Sequence, residues 1–385
     1  MPKTDSNPQP KDKVREEYVE NLATGVEVED EDSSTPNEPE PWDPEKIRVH
    51  TRHYSLRQVV DMIGDGDIDL APDFQRQYVW KPKQKWGLVE SLLLGIPLPS
   101  FYFNEDNSGL LQVVDGIQRL TTIYEYVAKR SFKLGRADYL DKLVGLGFGD
   151  LDRLFQRRLN GTQFVAHVID PQTPFLVKFD IFRRINTSGS PLSAQEVRHC
   201  MSKDKSREFL KRLANDQSFV DATGGALKNH VRMADREVAL RFIAFRLHTS
   251  EEFALHRSFD EFLSKVTETI DGLDNSSLDS LHEQFVNGMT NSYAVFGEHT
   301  FRKWPWNAKW KNPINRALVE SWGTVLADHS TASVQSASEE LAGRARSMMT
   351  DDEDFISSIS LATGNVRRVR TRLGKVRSLV NEVLK

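Results

Sequence analysis

The chain has 385 residues, 38% apolar and 28% charged, which suits two globular domains and is more polar than average. No apolar run approaches the roughly 20 residues needed to cross a bilayer, and Met1-Pro2-Lys3-Thr4-Asp5 opens no secretory-type hydrophobic core; a soluble cytoplasmic protein with no membrane partner is expected. A single cysteine, Cys200, excludes an internal disulfide framework and a multi-cysteine metal site.

The formal charge of −5 is unevenly placed. Residues 1–45 hold fourteen acidic and four basic side chains and seven of the sixteen prolines, so this segment is −10 and residues 46–385 are +5. With few apolar residues it cannot offset the entropy of ordering, and it reads as a disordered acidic tail. Such a tail is either a solubilising leader or an acidic mimic that shields a basic surface from nucleic acid.

Structure is expected from about Ile47. Ser55 can cap a short helix over 56–63 that ends at Gly64-Asp65-Gly66. Residues 68–80 (IDLAPDFQRQYVW) read as extended. A helix over about 83–94 stops at Gly95-Ile96-Pro97 and feeds a strand at 100–103. After a turn at 104–109 a second strand covers 110–114, then Asp115-Gly116 leads into a helix running to about Lys129. A further strand is expected at 163–169. Residues 179–186 lead into the loop Thr187-Ser188-Gly189-Ser190-Pro191, and Ser193 with Glu196 forms a capping box that starts a helix. Beyond it nearly every segment has helical spacing, as in 235–247, 259–270 and 278–293. The fold class is therefore α+β: a mixed domain over 46–195 followed by an α-helical domain over 196–385.

The most informative stretch is Val113-Val114-Asp115-Gly116-Ile117-Gln118-Arg119-Leu120. A buried strand turning through glycine into a helix aims free backbone N–H groups at one point, and the helix dipole adds to them, so the geometry suits a phosphate. Arg119 in the first turn could grip phosphate oxygens bidentately. Asp115 could hold a divalent cation or orient an attacking water. The plainer alternative makes Asp115 a helix cap and Arg119 a surface charge.

At the C-terminus, residues 367–377 place six basic residues in eleven: Arg367, Arg368, Arg370, Arg372, Lys375 and Arg377. Val366, Val369, Leu373, Val376, Leu379, Val380 and Val383 recur at spacings of three and four, which predicts an amphipathic helix. Its basic face would be a solvated surface or a contact for DNA phosphates or an acidic partner. Trp304, Trp306 and Trp310 lie among Arg302, Lys303, Lys309 and Lys311, either as base-stacking aromatics or as a packing cluster with a basic rim.

Four separated segments, FQRQYVW (74–80), ESLLLGIPLPSFYF (90–103), VVDGIQRLTTIYEY (113–126) and FRRINTSGSPLSAQEVR (182–198), resemble in order and spacing the DGQQR-motif family. Its ParB/sulfiredoxin-like domain opens the GmrSD-type modification-dependent restriction enzymes and related phage-defence proteins. The resemblance spans about 55–200, and FGEHTFRK (296–303) and NPINRALVES (312–321) look like the helical extension of longer members. It implies a ParB-like α+β domain that binds a nucleoside triphosphate, with Mg²⁺, and hydrolyses it in several members. Asp115, Gly116, Gln118 and Arg119 then form the motif's core, with Asp115 the metal residue and Asp115, Gln118 and Arg119 the catalytic set. Gln75 and Arg76 would line the same pocket, and Asn186, Thr187 and Gly189 would come from the third motif.

One position departs from the motif: Ile117 replaces its first glutamine, and an inward-pointing side chain there leaves binding intact. Family nucleases add an HNH-type domain, but His282, His299 and His329 are scattered and read as ordinary histidines. The implied protein is an NTP-hydrolysing sensor or effector in DNA-directed defence, contacting DNA or a partner protein such as a nuclease. The alternatives are a non-catalytic DNA-binding or adaptor protein with a nucleotide-sensing pocket, and a nuclease that uses the ParB-like domain itself.

Overall fold

The computed structural model describes residues 14–19, 22–29, 44–70, 80–185, 193–230 and 232–384. They fall into two units: residues 39–201, and residues 202–385 together with the N-terminal stretch up to residue 38. The divide thus follows Met201, a few residues later than expected.

The N-terminal stretch departs from expectation. Strands β1 (Glu16–Val19) and β2 (Leu22–Glu27) form an antiparallel hairpin on the helical unit. The Ile314 backbone bonds Gly25 and Glu27 at 2.8 Å each, and Val26 is buried in the helical core. Residues 16–19 and 22–27 are therefore not part of a disordered tail. Glu17 and Glu27 of these strands, and Glu29 just after them, meet cations brought from far along the chain. Arg316 grips Glu17 with Nη1 and Nη2 (2.8 and 3.1 Å), Arg241 grips Glu29 the same way (2.9 and 2.6 Å), and Lys303 donates to Glu27. The remainder of 1–45, apart from residues 14, 15, 28, 29, 44 and 45, lies outside the described residues.

The mixed unit runs β3 (Val49–Ser55), α1 (Leu56–Asp65), β4 (Ile68–Asp69), α2 (Pro82–Leu94), β5 (Phe101–Glu105), β6 (Leu111–Asp115), α3 (Ile117–Val127), α4 (Arg153–Gly161), β7 (Gln163–Ile169), α5 (Phe175–Ile185) and α6 (Ala194–Met201). The expected caps form: Ser55 Oγ accepts from Gln58 N at 3.2 Å, and Ser193 and Glu196 bond reciprocally at 3.1 and 2.6 Å. One mixed sheet has the order β3-β7-β5-β6-β4, with β7 inserted parallel to β5 and antiparallel to β3. Phe101, Phe103, Val113, Phe164, Ala166 and Val168 bury one face of it against Leu56, Val59, Leu92, Leu120 and Ile123 of α1–α3. Strand β3 was not foreseen.

Glu90 on α2 is buried, and its carboxylate accepts the N–H groups of Asp138, Tyr139 and Leu140 (3.1, 2.8 and 2.7 Å), which ties down the excursion after α3.

The helical unit comprises α7 (Asp204–Ala214), α8 (Gln217–Thr223), α9 (Ala234–Leu247), α10 (Ser250–Phe253), α11 (Phe259–Gly272) and α12 (Asn275–Phe296). Next come α13 (Arg316–Leu318), a π-helical turn (Val319–Gly323) and α14 (Thr324–Leu326), then α15 (Thr331–Ser336), α16 (Ser338–Asp351), α17 (Glu353–Ser358) and α18 (Val366–Val383). Gly288 lets α12 cross the π turn closely, because a Cβ there would lie 2.4 Å from the Gly323 carbonyl oxygen. The π turn carries Glu320, fully buried between Arg241 (3.0 Å) and Arg372.

Candidate functional site

Strand β6 ends at Asp115, Gly116 takes φ +100°, and α3 begins at Ile117. A side chain at 116 would be strained by that φ and would also strike the Phe101 ring, at 2.4 and 2.8 Å from a Cβ. Glycine therefore brings backbone and ring together and gives α3 no side-chain cap. The helix thus presents its first N–H groups and positive dipole end beside Asp115.

Arg119 is neither a surface charge nor a loose one. Its Nη2 donates to Asp115 Oδ2 at 2.9 Å and to the Ser100 carbonyl at 3.3 Å, its Nη1 donates to the Pro99 carbonyl, and its guanidinium lies 4.4 Å from the Phe101 ring centroid. Burial pulls the Arg119 pKa below its ordinary value, opposed by the Asp115 charge. The arginine side chain is 12% exposed and the aspartate 37%, so the acid is the member that faces solvent. Asp115 does not cap α3; Gly116 holds that position.

Gln118 Oε1 accepts the Trp80 N–H at 3.3 Å, which fixes Gln118 to the end of the 74–80 motif. Ile117 is buried in the core, so the motif's departure there removes no group from the surface of the junction. Gln75, Arg76, Asn186, Thr187 and Gly189 lie outside the described residues.

Sequence reasoning missed what stands beside Asp115. The β5–β6 register shifts between Tyr102 and Phe103, so Asp115 pairs with Tyr102 while Val113 pairs with Phe103. A bulge of this kind re-aims a side chain: Leu111 and Val113 enter the core, whereas Asp115 joins the row of Tyr102. The row continues across the sheet, with Tyr102 opposite His167 and His167 opposite Thr51. The Tyr102 and His167 rings are 4.9 Å apart at 35°, and Thr51 Oγ1 lies 3.2 Å from His167 Nδ1. The signal in the sequence was alternation in FYF: two buried phenylalanines flank a tyrosine that must face the other way.

Among the described residues, no group of three or more His, Cys, Asp or Glu side chains is placed to hold a metal ion. Asp115 would thus hold a divalent cation as a lone carboxylate, as Mg²⁺ permits when phosphate oxygens and waters complete its octahedron.

The C-terminal basic residues do not act as one face. Arg372 is fully buried, bonded to Glu320 and to the carbonyls of Ser358 (3.2 Å) and Thr363 (2.7 Å), and cannot meet a phosphate. It sits three residues after Val369, on the apolar stripe, where only a buried acid makes a cation tolerable. Lys375 is held by Asp352 at 2.6 and 2.5 Å, and Arg370 Nε is 3.4 Å from Glu251. Arg367, Arg370 and Arg377 are exposed, and Arg368 is half-buried. Trp304 and Trp306 clasp the Arg346 guanidinium (4.2 and 3.9 Å), and His299 stacks on Trp304 at 4.3 Å, so these aromatics pack together. His282 bonds Asp216 at 2.9 Å.

The class defined here is an α+β domain whose sheet ends in an aspartate–glycine–helix junction, joined to an α-helical part. Residues 56–202 match the family model of the GmrSD restriction endonuclease N-terminal domain, and this stretch of the chain is a GmrSD-type N-terminal domain. No curated protein and no solved structure matches the chain. Among the described residues no helix is long and apolar enough to cross a membrane.

Proposed function

We propose that the protein is a nucleotide-binding, NTP-hydrolysing sensor or effector in restriction-type defence against phage DNA. The domain match supports the defence setting. The observation that carries the nucleotide reading is the junction itself: an uncapped helix start at Gly116, a desolvated guanidinium at Arg119 and a solvent-facing carboxylate at Asp115. The phosphates of a nucleoside triphosphate would meet the N–H groups of the first turn and Arg119. Asp115 would hold Mg²⁺ with the phosphate oxygens or orient water in line with the terminal phosphorus. Gln118, tied to Trp80, would couple the 74–80 motif to the same point. DNA or another defence component is the proposed partner.

A second reading, in which the pocket senses a nucleotide without turning it over, draws on one observation: the Asp115 carboxylate is already engaged by Arg119. Phosphate release from each triphosphate with Mg²⁺, with and without DNA, separates the two. Turnover lost in Arg119→Ala supports the first; binding without turnover in the wild type supports the second; no binding rejects both.

A further inference from the structure

The row Asp115–Tyr102–His167–Thr51 reaches away from the junction in one direction along the sheet. Neighbouring strands lie about 4.8 Å apart, so Tyr102 stands one strand and His167 two strands from Asp115, roughly 5 and 10 Å away. That reach is comparable with the distance from a nucleotide's phosphates to its base. Both rings are half-buried, and His167 is steadied at Nδ1 by Thr51. Core packing fixes the rest of the platform: Phe101 and Phe103 on one strand and Ala166 and Val168 on the other are buried beneath it, so neither ring can turn inward. On the side of Val49 and Val165, 38% and 37% exposed, the face beside them is open, whereas Asn104, Gln112 and Ile169 on the other side are buried. Two aromatic side chains packed at a tilt, with centroids 4.9 Å apart, beside a phosphate-type site offer ring surface for stacking, since every base has a π-face.

We propose that the Tyr102–His167 pair is the base-binding platform of the site, stacking the nucleobase of a nucleoside triphosphate whose phosphates sit at Gly116–Arg119. This rests on the nucleotide reading above. Stacking on an aromatic surface favours the larger purines over pyrimidines, and it discriminates by ring size rather than by a hydrogen-bond code.

Calorimetric titration of the full chain with ATP, GTP, CTP and UTP, and with inorganic tripolyphosphate as a base-free probe, tests it. Tyr102→Ala and His167→Ala should each weaken purine triphosphates about tenfold, the scale of one lost base stack, and leave tripolyphosphate affinity unchanged. Tyr102→Phe should restore wild-type affinity. Equal losses for triphosphates and tripolyphosphate, or no loss for either, would overturn the platform. Failure of the phosphate reading shows differently: the wild type would then bind tripolyphosphate no better than Arg119→Ala does. Thermal melts of Tyr102→Phe and His167→Ala close to that of the wild type are required for the comparison, and Tyr102→Phe keeps it open if Tyr102→Ala unfolds.

Discussion

Arg119 Nη2 donates to Asp115 Oδ2 at 2.9 Å across the glycine that opens α3. The pair is partly withdrawn from water, so the carboxylate both orients the guanidinium and repels an incoming phosphate. Replacing the charge while keeping the shape should separate these effects. Asp115→Asn should bind a triphosphate at least as tightly as the wild type in calorimetry, yet release phosphate at least a hundredfold more slowly, about 2.7 kcal/mol. Arg119→Ala should instead weaken binding itself by about 1.5–3 kcal/mol. Identical behaviour of the two variants would assign Asp115 only a structural part.

Gly116→Ala meets two obstacles at once: a φ of +100° and a Cβ 2.4 Å from the Phe101 ring. The strain should cost about 1–3 kcal/mol, read as a lower midpoint in urea unfolding of the variant. Nucleotide binding should fall with it, since Phe101 must move and it supports Arg119. A variant as stable as the wild type would mean that the junction is softer than its packing implies.

The junction was legible because its signals are local. An apolar run, a glycine and helical spacing fall within a dozen residues, and the caps at Ser55 and Ser193 are equally short-range. Strand β3 was not legible. Its sequence VHTRHYS buries Tyr54 alone among its seven residues, and its partner β7 lies far along the chain, Thr51 pairing with His167 116 residues on. The pairing of strands 16–19 and 22–27 was hidden in the same way. Charge counting sees Glu17, Glu27 and Glu29 but not Arg316, Lys303 and Arg241, which neutralise them only after folding. Arg372 was readable in retrospect, from its place on the stripe of Val369, Leu373 and Val376.

Removing residues 1–29 should therefore destabilise the protein rather than leave it unchanged. Glu17, Glu27 and Glu29 would be lost, leaving buried Arg316 and Arg241 without those partners, and breaking one side of a buried pair costs about 3–5 kcal/mol. The melting temperature of the truncated chain should drop by roughly ten degrees. Equal melting temperatures for the truncated and full-length chains would show that the hairpin is dispensable.

The same contacts give a pH dependence. Burial alone would raise the Glu29 pKa, but the Arg241 and Arg316 charges and the Arg241 hydrogen bonds overcome it and hold the carboxyl down at about 2. A depressed acid stabilises the fold above its unfolded value near 4.5, and that contribution is lost as pH falls from there toward 2. Asp235 works the other way. Burial raises it to about 6, so its contribution is full at low pH and is lost as pH rises from about 4 through 6. In Glu29→Gln the stability lost between pH 4.5 and 2 should shrink, whereas Asp235→Asn should flatten the profile between about pH 4 and 6. Urea midpoints across the range check both, and profiles unchanged by either variant would remove these groups from the balance.

If α18 meets a phosphate backbone, it can do so only through its exposed arginines, because Arg372 is committed to Glu320. Each neutralised phosphate contributes about 0.9 to the log–log salt slope of duplex binding. Replacing Arg367, Arg370 and Arg377 together with Gln should flatten that slope by roughly two to three units, with the melting temperature little changed. Arg372→Gln should behave in the opposite way: it leaves Glu320 less neutralised in the core and lowers stability steeply, and at a temperature where the protein stays folded it leaves the slope intact. A slope that responds to Arg372 and not to the exposed three would place the DNA contact elsewhere and leave α18 a structural helix.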